Sequence, residues 1–216
     1  MDVAQGLTEF PTSLGNVVVV DDDLHMRQSL EDLFRSVGLK TTSFPTTKAF
    51  NHEDVVGRPR CLVLDVRLPE ESGLELQQRL TALSVRFPIV FITGYADVAM
   101  SVRAMKNGAV NFLAKPFRDQ DLLDAVWEAL QLDTTREAFE TDVAEIRALA
   151  EKLSPREWDV LKGVDRGLLN KQIATELGVA EITVKMHRSN AFKKLKARNS
   201  TDMIQKVRAV IGLKPR

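Results

Sequence analysis

Two adjacent aspartates, Asp21 and Asp22, close a run of four valines, and a third, Asp65, closes the apolar run 61–64. Thr93 and Lys115 follow two further β-rich runs, 89–92 and 110–113. Carboxylates crowded together repel, and each would take up a proton unless a cation is shared among them. A hard divalent ion such as Mg²⁺ meets that need, because it takes oxygen ligands from one or two carboxylates, a backbone carbonyl and water, and bridges to phosphate oxygens. One carboxylate is then free to attack phosphorus and form an acyl phosphate, while a lysine offsets charge on the phosphoryl oxygens. Taken singly, each residue has an ordinary explanation: a strand-end aspartate caps a helix, a threonine forms a turn, a lysine is solvated. The chemistry rests on all five standing at strand ends in this order.

Such positions require a particular scaffold. The runs 17–20, 41–44, 61–64, 89–92 and 110–113 read as five buried strands. Between them lie amphipathic segments such as Met26, Leu30, Leu33, Phe34 and Val37, whose three- and four-residue spacing makes one helix face. Alternating strands and helices predict an α/β fold: a doubly wound five-stranded parallel sheet of five βα units with right-handed crossovers. Ligands of such sheets bind at the carboxyl ends of the strands, the edge that all five polar residues share.

Past residue 132 the strand signal stops. Phe139, Val143, Ile146, Leu149 and Leu153 recur at helical spacing among charged residues, so residues 133–152 read as a helical linker continuing a helix begun near Asp119. Its apolar stripe serves either a dimer or one of the domains. From residue 153 the pattern is all-α. Ser154, Pro155 and Glu157 supply an N-cap, a proline at the first helical position and a capping-box glutamate. Asn170 is placed to cap a second helix through Ile173, Ala174 and Leu177, which stops at Gly178. A third helix over 181–196 carries Lys185, His187, Arg188, Lys193, Lys194 and Lys196, with Ile182, Val184, Ala191, Phe192 and Leu195 read as core. Helix, glycine turn, basic helix is the helix-turn-helix pattern.

Composition agrees with two soluble domains. The 216 residues are 44% hydrophobic and 28% charged, which excludes a disordered chain, and no apolar run is long enough to span a bilayer. Residues 1–16, read as a flexible N-terminal extension, have neither a basic start nor an apolar stretch, so a cytoplasmic location without membrane insertion is expected. The single cysteine, Cys61, lies in an apolar run and reads as packing. The net charge of zero hides an asymmetry: residues 152–216 hold 15 Lys+Arg against 6 Asp+Glu, a formal +9 balanced by −9 elsewhere. A basic C-terminal third points to a polyanion, nucleic acid above all.

The segments VVVVDDD at 17–23, LVLDVRLPEESG at 62–73, FITGYAD at 91–97 and FLAKPF at 112–117 resemble a response-regulator receiver domain. The resemblance implies that Asp65 is the phosphoacceptor and that Asp65, Asp22 and the backbone carbonyl of Arg67 bind Mg²⁺, with Asp21 acting largely through water. It implies that the Thr93 hydroxyl holds the transferred phosphoryl, that Lys115 neutralises one of its oxygens and that Lys115-Pro116 is a cis peptide. Phe112 stands where the family has its switch aromatic, and in relatives the surface of the fourth helix, fifth strand and fifth helix dimerises. One departure is Glu70, where relatives often carry glycine, which brings an extra acid toward the pocket.

Residues 153–207, through LSPREWDVL and GLLNKQIATELGVAEITVKMHRSNAFKKL, are similar to the LuxR-type helix-turn-helix effector of the FixJ and NarL regulators. That resemblance puts Thr183, Lys185, Met186 and Ser189 on the groove face and Lys171, Arg188 and Lys193 on the phosphate backbone. Asn170 caps the scaffold helix or reaches a phosphate, and His187 is a family feature. Neither Met186 nor Ser189 makes the bidentate base contact of Arg or Asn, so base specificity is not legible. Ala180 stands where relatives carry a capping serine.

Together the resemblances imply a receiver at 17–132, the linker, and a DNA-binding domain at 153–216. The expected function is that of a two-component transcription regulator, an activator, FixJ-like and akin to regulators of aromatic-hydrocarbon (styrene-type) catabolism. A sensor histidine kinase phosphorylates Asp65, a homodimer forms, and the dimer meets promoter DNA and RNA polymerase. Apart from self-phosphorylation and autodephosphorylation it is not an enzyme. A phosphatase using an aspartyl phosphate needs a second acid two residues beyond Asp65, where Arg67 stands. A protein-binding adaptor is the other rival, separated by salt-dependent binding to duplex DNA.

Overall fold

The computed structural model describes residues 15–55 and 57–211. Most of the expected N-terminal extension, residues 1–14, lies outside them. The chain divides into two compact units, Met1–Glu137 and Ala138–Arg216.

The first unit is a five-stranded, all-parallel sheet in the order β2-β1-β3-β4-β5, with β1 Asn16–Val20, β2 Lys40–Phe44, β3 Arg60–Asp65, β4 Ile89–Thr93 and β5 Asn111–Ala114. All five strands fall where the apolar runs predict them. Alternate residues of a strand point to opposite faces, and the two faces are covered by different helices. Val17, Val19, Cys61, Val63, Val90 and Ile92 pack with Leu30 and Phe34 of α1 (Leu24–Ser36) and Leu122, Ala125 and Val126 of α4 (Asp119–Ala150). Val18, Val20, Leu62, Leu64 and Phe91 pack with Leu74, Leu76 and Leu80 of α2 (Gly73–Ala82) and Ala104 of α3 (Val98–Lys106). Both faces of β1 and β3 are thus dry, which is why their sequences run apolar without alternation. Cys61 is fully buried, and burial pushes its thiol far up.

One expected crossover helix is replaced. Between β2 and β3 the described residues form turns and a single 3₁₀ turn, His52–Asp54, begun by the Asn51 side chain accepting from Glu53 N. Pro45, the β-branched pair Thr46-Thr47 and the turn formers Asn51 and Gly57 leave no uninterrupted helical run. Phe50 covers the sheet instead, edge-on to Phe44 and Phe87 at centroid distances of 5.7 and 5.9 Å. The helix preceding β5 is therefore the third α-helix of the chain, not the fourth.

At the amino end of the sheet Asp133, fully buried on α4, accepts from Arg60 N at 3.0 Å and pairs with Arg58 at 3.5 Å. This first residue of the expected linker thereby ties α4 to β3. Phe139 is exposed, whereas Ile146 and Leu149 pack on the second core. No described helix is long and apolar enough to cross a membrane.

The second unit packs α5 (Pro155–Asp165), α6 (Asn170–Leu177), α7 (Glu181–Lys194) and α8 (Ser200–Ile211) around Val160, Leu161, Ile173, Val184, Leu195 and Met203. The capping box at Ser154 and Glu157 is present in both directions. Glu157 Oε2 also accepts from Lys194 Nζ at 2.7 Å, so this lysine of the basic helix braces α7 to α5. Gly178 ends α6 at φ 63° and ψ 38°, the left-handed turn expected of it.

Candidate functional site

The strand registers bring the predicted polar residues together. Val20 lies opposite Leu64, Asp65 opposite Ile92, and Thr93 opposite Ala114, so the carboxyl ends of β1, β3, β4 and β5 form one edge. Asp21 is fully buried, Asp65 nearly so, and Asp22 exposed. One carboxylate oxygen from each of the three lies within 4.8 Å of the others. Lys115 Nζ stands among them, donating to Asp21 Oδ2 at 2.7 Å and to Asp65 Oδ2 at 2.6 Å. The remaining Asp21 oxygen accepts from Asp23 N and the remaining Asp65 oxygen from Arg67 N, each at 2.9 Å.

These contacts set the electrostatics. Burial raises the Asp65 carboxyl above the ordinary aspartate range, and the Lys115 and Arg67 bonds offset only part of that. Burial works against the Lys115 ammonium, but its bonds to Asp21 and Asp65 prevail and hold its pKa above the usual lysine value. Asp65 is thus a poorly hydrated carboxyl group bonded to a lysine, and the Asp21 charge beside it works in the same direction as burial. Three clustered carboxylates against a single ammonium leave negative charge over, and the donor set is all oxygen. That fits Mg²⁺.

Thr93 is buried, its hydroxyl accepting from Tyr95 N at 3.3 Å, and its carbonyl accepts from Lys115 N at 2.7 Å. Lys115-Pro116 is cis, as the family resemblance implies. Phe112 is half-buried and leans on Phe91, with ring centroids 6.2 Å apart. Glu70 sits at φ 74°, in the left-handed backbone region that favours glycine, and its exposed carboxylate pairs with Lys48 at 2.9 Å.

Three contributors are not evident from the sequence. Arg27 Nη1 donates to the carbonyls of Asp21 and Asp22 at 2.7 and 3.0 Å, fixing the β1–α1 loop. The Arg67 guanidinium lies 4.1 Å from the centroid of the Tyr95 ring, joining the loops after β3 and β4. Gly73, whose N donates to Val66 O, lets α2 approach so closely that an added Cβ would fall 2.3 Å from the carbonyl oxygen of Asp65. In the sequence it is only a glycine eight residues after Asp65, in no motif that signals the approach.

In the second unit α7 begins at an Ala180 N-cap that makes no side-chain bond, leaving Glu181 as the acid of the first turn. Lys185, Met186, Ser189 and Lys193 are exposed, and Thr183, His187 and Arg188 half-buried. Two expectations need correction. Asn170 is the first residue of α6, after a Leu169 N-cap, and its carboxamide oxygen accepts from Arg188 Nη1 at 3.1 Å. It braces α6 to α7 rather than capping. Ile182, read as core, is 73% exposed. Val184 faces the core, and residues two apart on a helix point about 200° apart, so Ile182 must face out. Lys171 is exposed at the start of α6.

Fold and site define a receiver domain joined to a helix-turn-helix DNA-binding domain. The response regulator receiver domain model matches residues 17–127, and that of bacterial regulatory proteins of the luxR family matches residues 151–207. Nodulation protein W of Bradyrhizobium diazoefficiens is 52% identical, the match covering 88% of this chain and 83% of that protein. Response regulator protein TmoT of Ectopseudomonas mendocina is 41% identical over 92% of this chain and 94% of its own. The solved structure of response regulator StyR is similar with a TM-score of 0.76 at 46% identity, covering 89% of this chain and 98% of that one. The chain belongs to the response regulators with a LuxR-type DNA-binding domain, the transcriptional regulators of two-component systems.

Proposed function

We propose that Asp65 accepts a phosphoryl group from a sensor histidine kinase and that this switches promoter binding by the C-terminal domain. The observation that carries the reading is the bridge from Lys115 to both Asp21 and Asp65 beside an exposed third carboxylate. An Asp65 carboxylate oxygen attacks phosphorus. The new O–P bond forms as the P–N bond of a phosphohistidine breaks, and the electron pair leaves on the imidazole nitrogen. Asp22, Asp65 and the Arg67 carbonyl, with Asp21 beside them, would hold Mg²⁺, which would supply charge neutralisation to the phosphoryl oxygens. Lys115 holds Asp65 in place before transfer and follows a phosphoryl oxygen after it, while the Thr93 hydroxyl donates to another.

The added charge draws Thr93 toward the phosphate, and the space it leaves admits Phe112, which already leans on Phe91. The face altered by this move is that of α3. Val98, Val102 and Met105 there are 79%, 45% and 47% exposed at four- and three-residue spacing, an apolar stripe suited to a homodimer. Dimers present two α7 helices to two half-sites of a promoter, with Lys185, Met186 and Ser189 toward the bases and Lys171 and Lys193 toward phosphates. The output is activation through RNA polymerase, in the cytoplasm, with residues 17–132, 133–152 and 153–216 as receiver, linker and effector. Beyond transfer and slow loss of the phosphoryl group it performs no catalysis, since Arg67 occupies the position a phosphatase needs for its second acid.

The test is transfer from labelled acetyl phosphate with and without Mg²⁺. Wild type is expected to take up label that hydroxylamine removes, and Asp65→Asn none. Equal labelling of Asp65→Asn, or labelling unaffected by chelation of the metal, contradicts the assignment.

A further inference from the structure

We propose that Ile182 reads the C5-methyl group of thymine in the major groove and is a specificity-determining residue of this regulator. The inference rests on α7 being the recognition helix. The N-terminal residues of such a helix contact base edges, and Ile182 is the second residue of α7. Its side chain is 73% exposed, and Met186, one turn further on the same face, is 51% exposed. An isoleucine left in water forgoes the stabilisation of burial, which contact with an apolar group on a partner would recover in part.

A lone exposed isoleucine needs no explanation. Here the polar residues around it narrow what the first two turns can read. Arg188 is held by Asn170 at 3.1 Å, whereas Lys185 makes only an exposed pair with Glu181 at 3.0 Å, which it can exchange for a base edge beside Ile182. On this outward face Ile182 and Met186 supply hydrocarbon and thioether, next to the polar side chains of Lys185 and Ser189. Ile182 has neither donor nor acceptor, and among the groups that base pairs display in the major groove the thymine methyl is the apolar one. Exposed lysines at 171 and 193 supply the attraction to phosphate that brings this face to the bases.

Duplexes are enriched from a randomised library with the full chain in the presence of acetyl phosphate and Mg²⁺. Each thymine of an enriched duplex is then replaced singly by deoxyuridine, which removes only the methyl, and binding is measured at fixed salt. At one thymine of each half-site the replacement is expected to weaken wild type about four-fold, the factor equivalent to about 0.8 kcal/mol for one buried methyl. Ile182→Ala is expected to bind the two duplexes equally while retaining salt-dependent affinity for DNA. Met186→Ala, run alongside, is expected to keep the four-fold ratio at that position. The proposal is overturned if wild type is indifferent to every methyl, or if the ratio survives in Ile182→Ala. Failure to enrich any sequence overturns the DNA-binding reading with it, whereas an enriched duplex without methyl dependence overturns the role of Ile182 alone.

Discussion

Gly73→Ala tests whether the packing of α2 against the end of β3 sets the position of the nucleophile. The added Cβ would lie 2.3 Å from the Asp65 carbonyl oxygen, 2.9 Å from Leu64 Cγ and 3.2 Å from the Asp65 carbonyl carbon. Ordinary van der Waals contact begins near 3.4 Å, so α2 and the Asp65 backbone must separate by about 1 Å. Backbone on both sides of the clash cannot swing aside as a flexible side chain can. Overpacking of this kind costs about 1–3 kcal/mol, and a displacement of about 1 Å at a reacting group costs on the order of 10²-fold in rate. The assay pairs urea unfolding of the receiver with the rate of phosphorylation by acetyl phosphate. Gly94→Ala is the control, because its Cβ meets nothing within 4 Å although it adjoins Thr93. Gly73→Ala should lose stability and phosphorylate about a hundred times more slowly, with Gly94→Ala near wild type in stability. A Gly73→Ala protein that phosphorylates at the wild-type rate refutes the reasoning.

Glu157→Ala removes the acceptor shared by Ser154 N and Lys194 Nζ and should destabilise the C-terminal domain by about 2–3 kcal/mol, read by Trp158 fluorescence in a Trp127→Phe background. Lys194→Met should cost less than about 1 kcal/mol, because that lysine is 38% exposed and water screens its pairing. Burial opposes the Glu157 charge, but the Lys194 and Ser154 bonds outweigh it and lower the carboxyl pKa. The charge therefore contributes stability that is complete above the unfolded glutamate value and lost as pH falls through the folded one. The gap between wild type and Glu157→Gln should close over that acid interval, and a gap that widens there contradicts the sign. Glu70→Gly relieves a non-glycine φ of 74° and removes only an exposed pair with Lys48. It should leave the receiver unchanged or more stable by up to about 1 kcal/mol in thermal unfolding, and a loss of more than about 1 kcal/mol would show that the Lys48 pair matters.

Much of the fold was legible because its signals are local. Strand ends, the Ser154 capping box and the Gly178 turn are written in neighbouring residues, and the five polar residues could be ordered along one edge once the strands were parallel. What escaped is non-local or depends on phase. Gly73 matters through a carbonyl eight residues away, Arg27 through two carbonyls on the preceding loop, and Asp133 through β3, 73 positions earlier in sequence. Ile182 is apolar like the core residues of α7, but its angle on the helix decides otherwise: with Val184, Ala191 and Leu195 on the core side, it cannot join them. Asn170 has a capping residue's chemistry, but Leu169 takes the capping position and Gln172 accepts from its N–H, leaving the Asn170 side chain to hold Arg188.

The central claim is that Asp65 gates DNA binding. Binding of wild type and Asp65→Asn to an enriched promoter duplex and to random duplex, each with and without acetyl phosphate and Mg²⁺, tests it most directly. The account predicts that the phosphodonor tightens specific binding and drives dimers in wild type alone. Equal binding by both proteins in all conditions would contradict it.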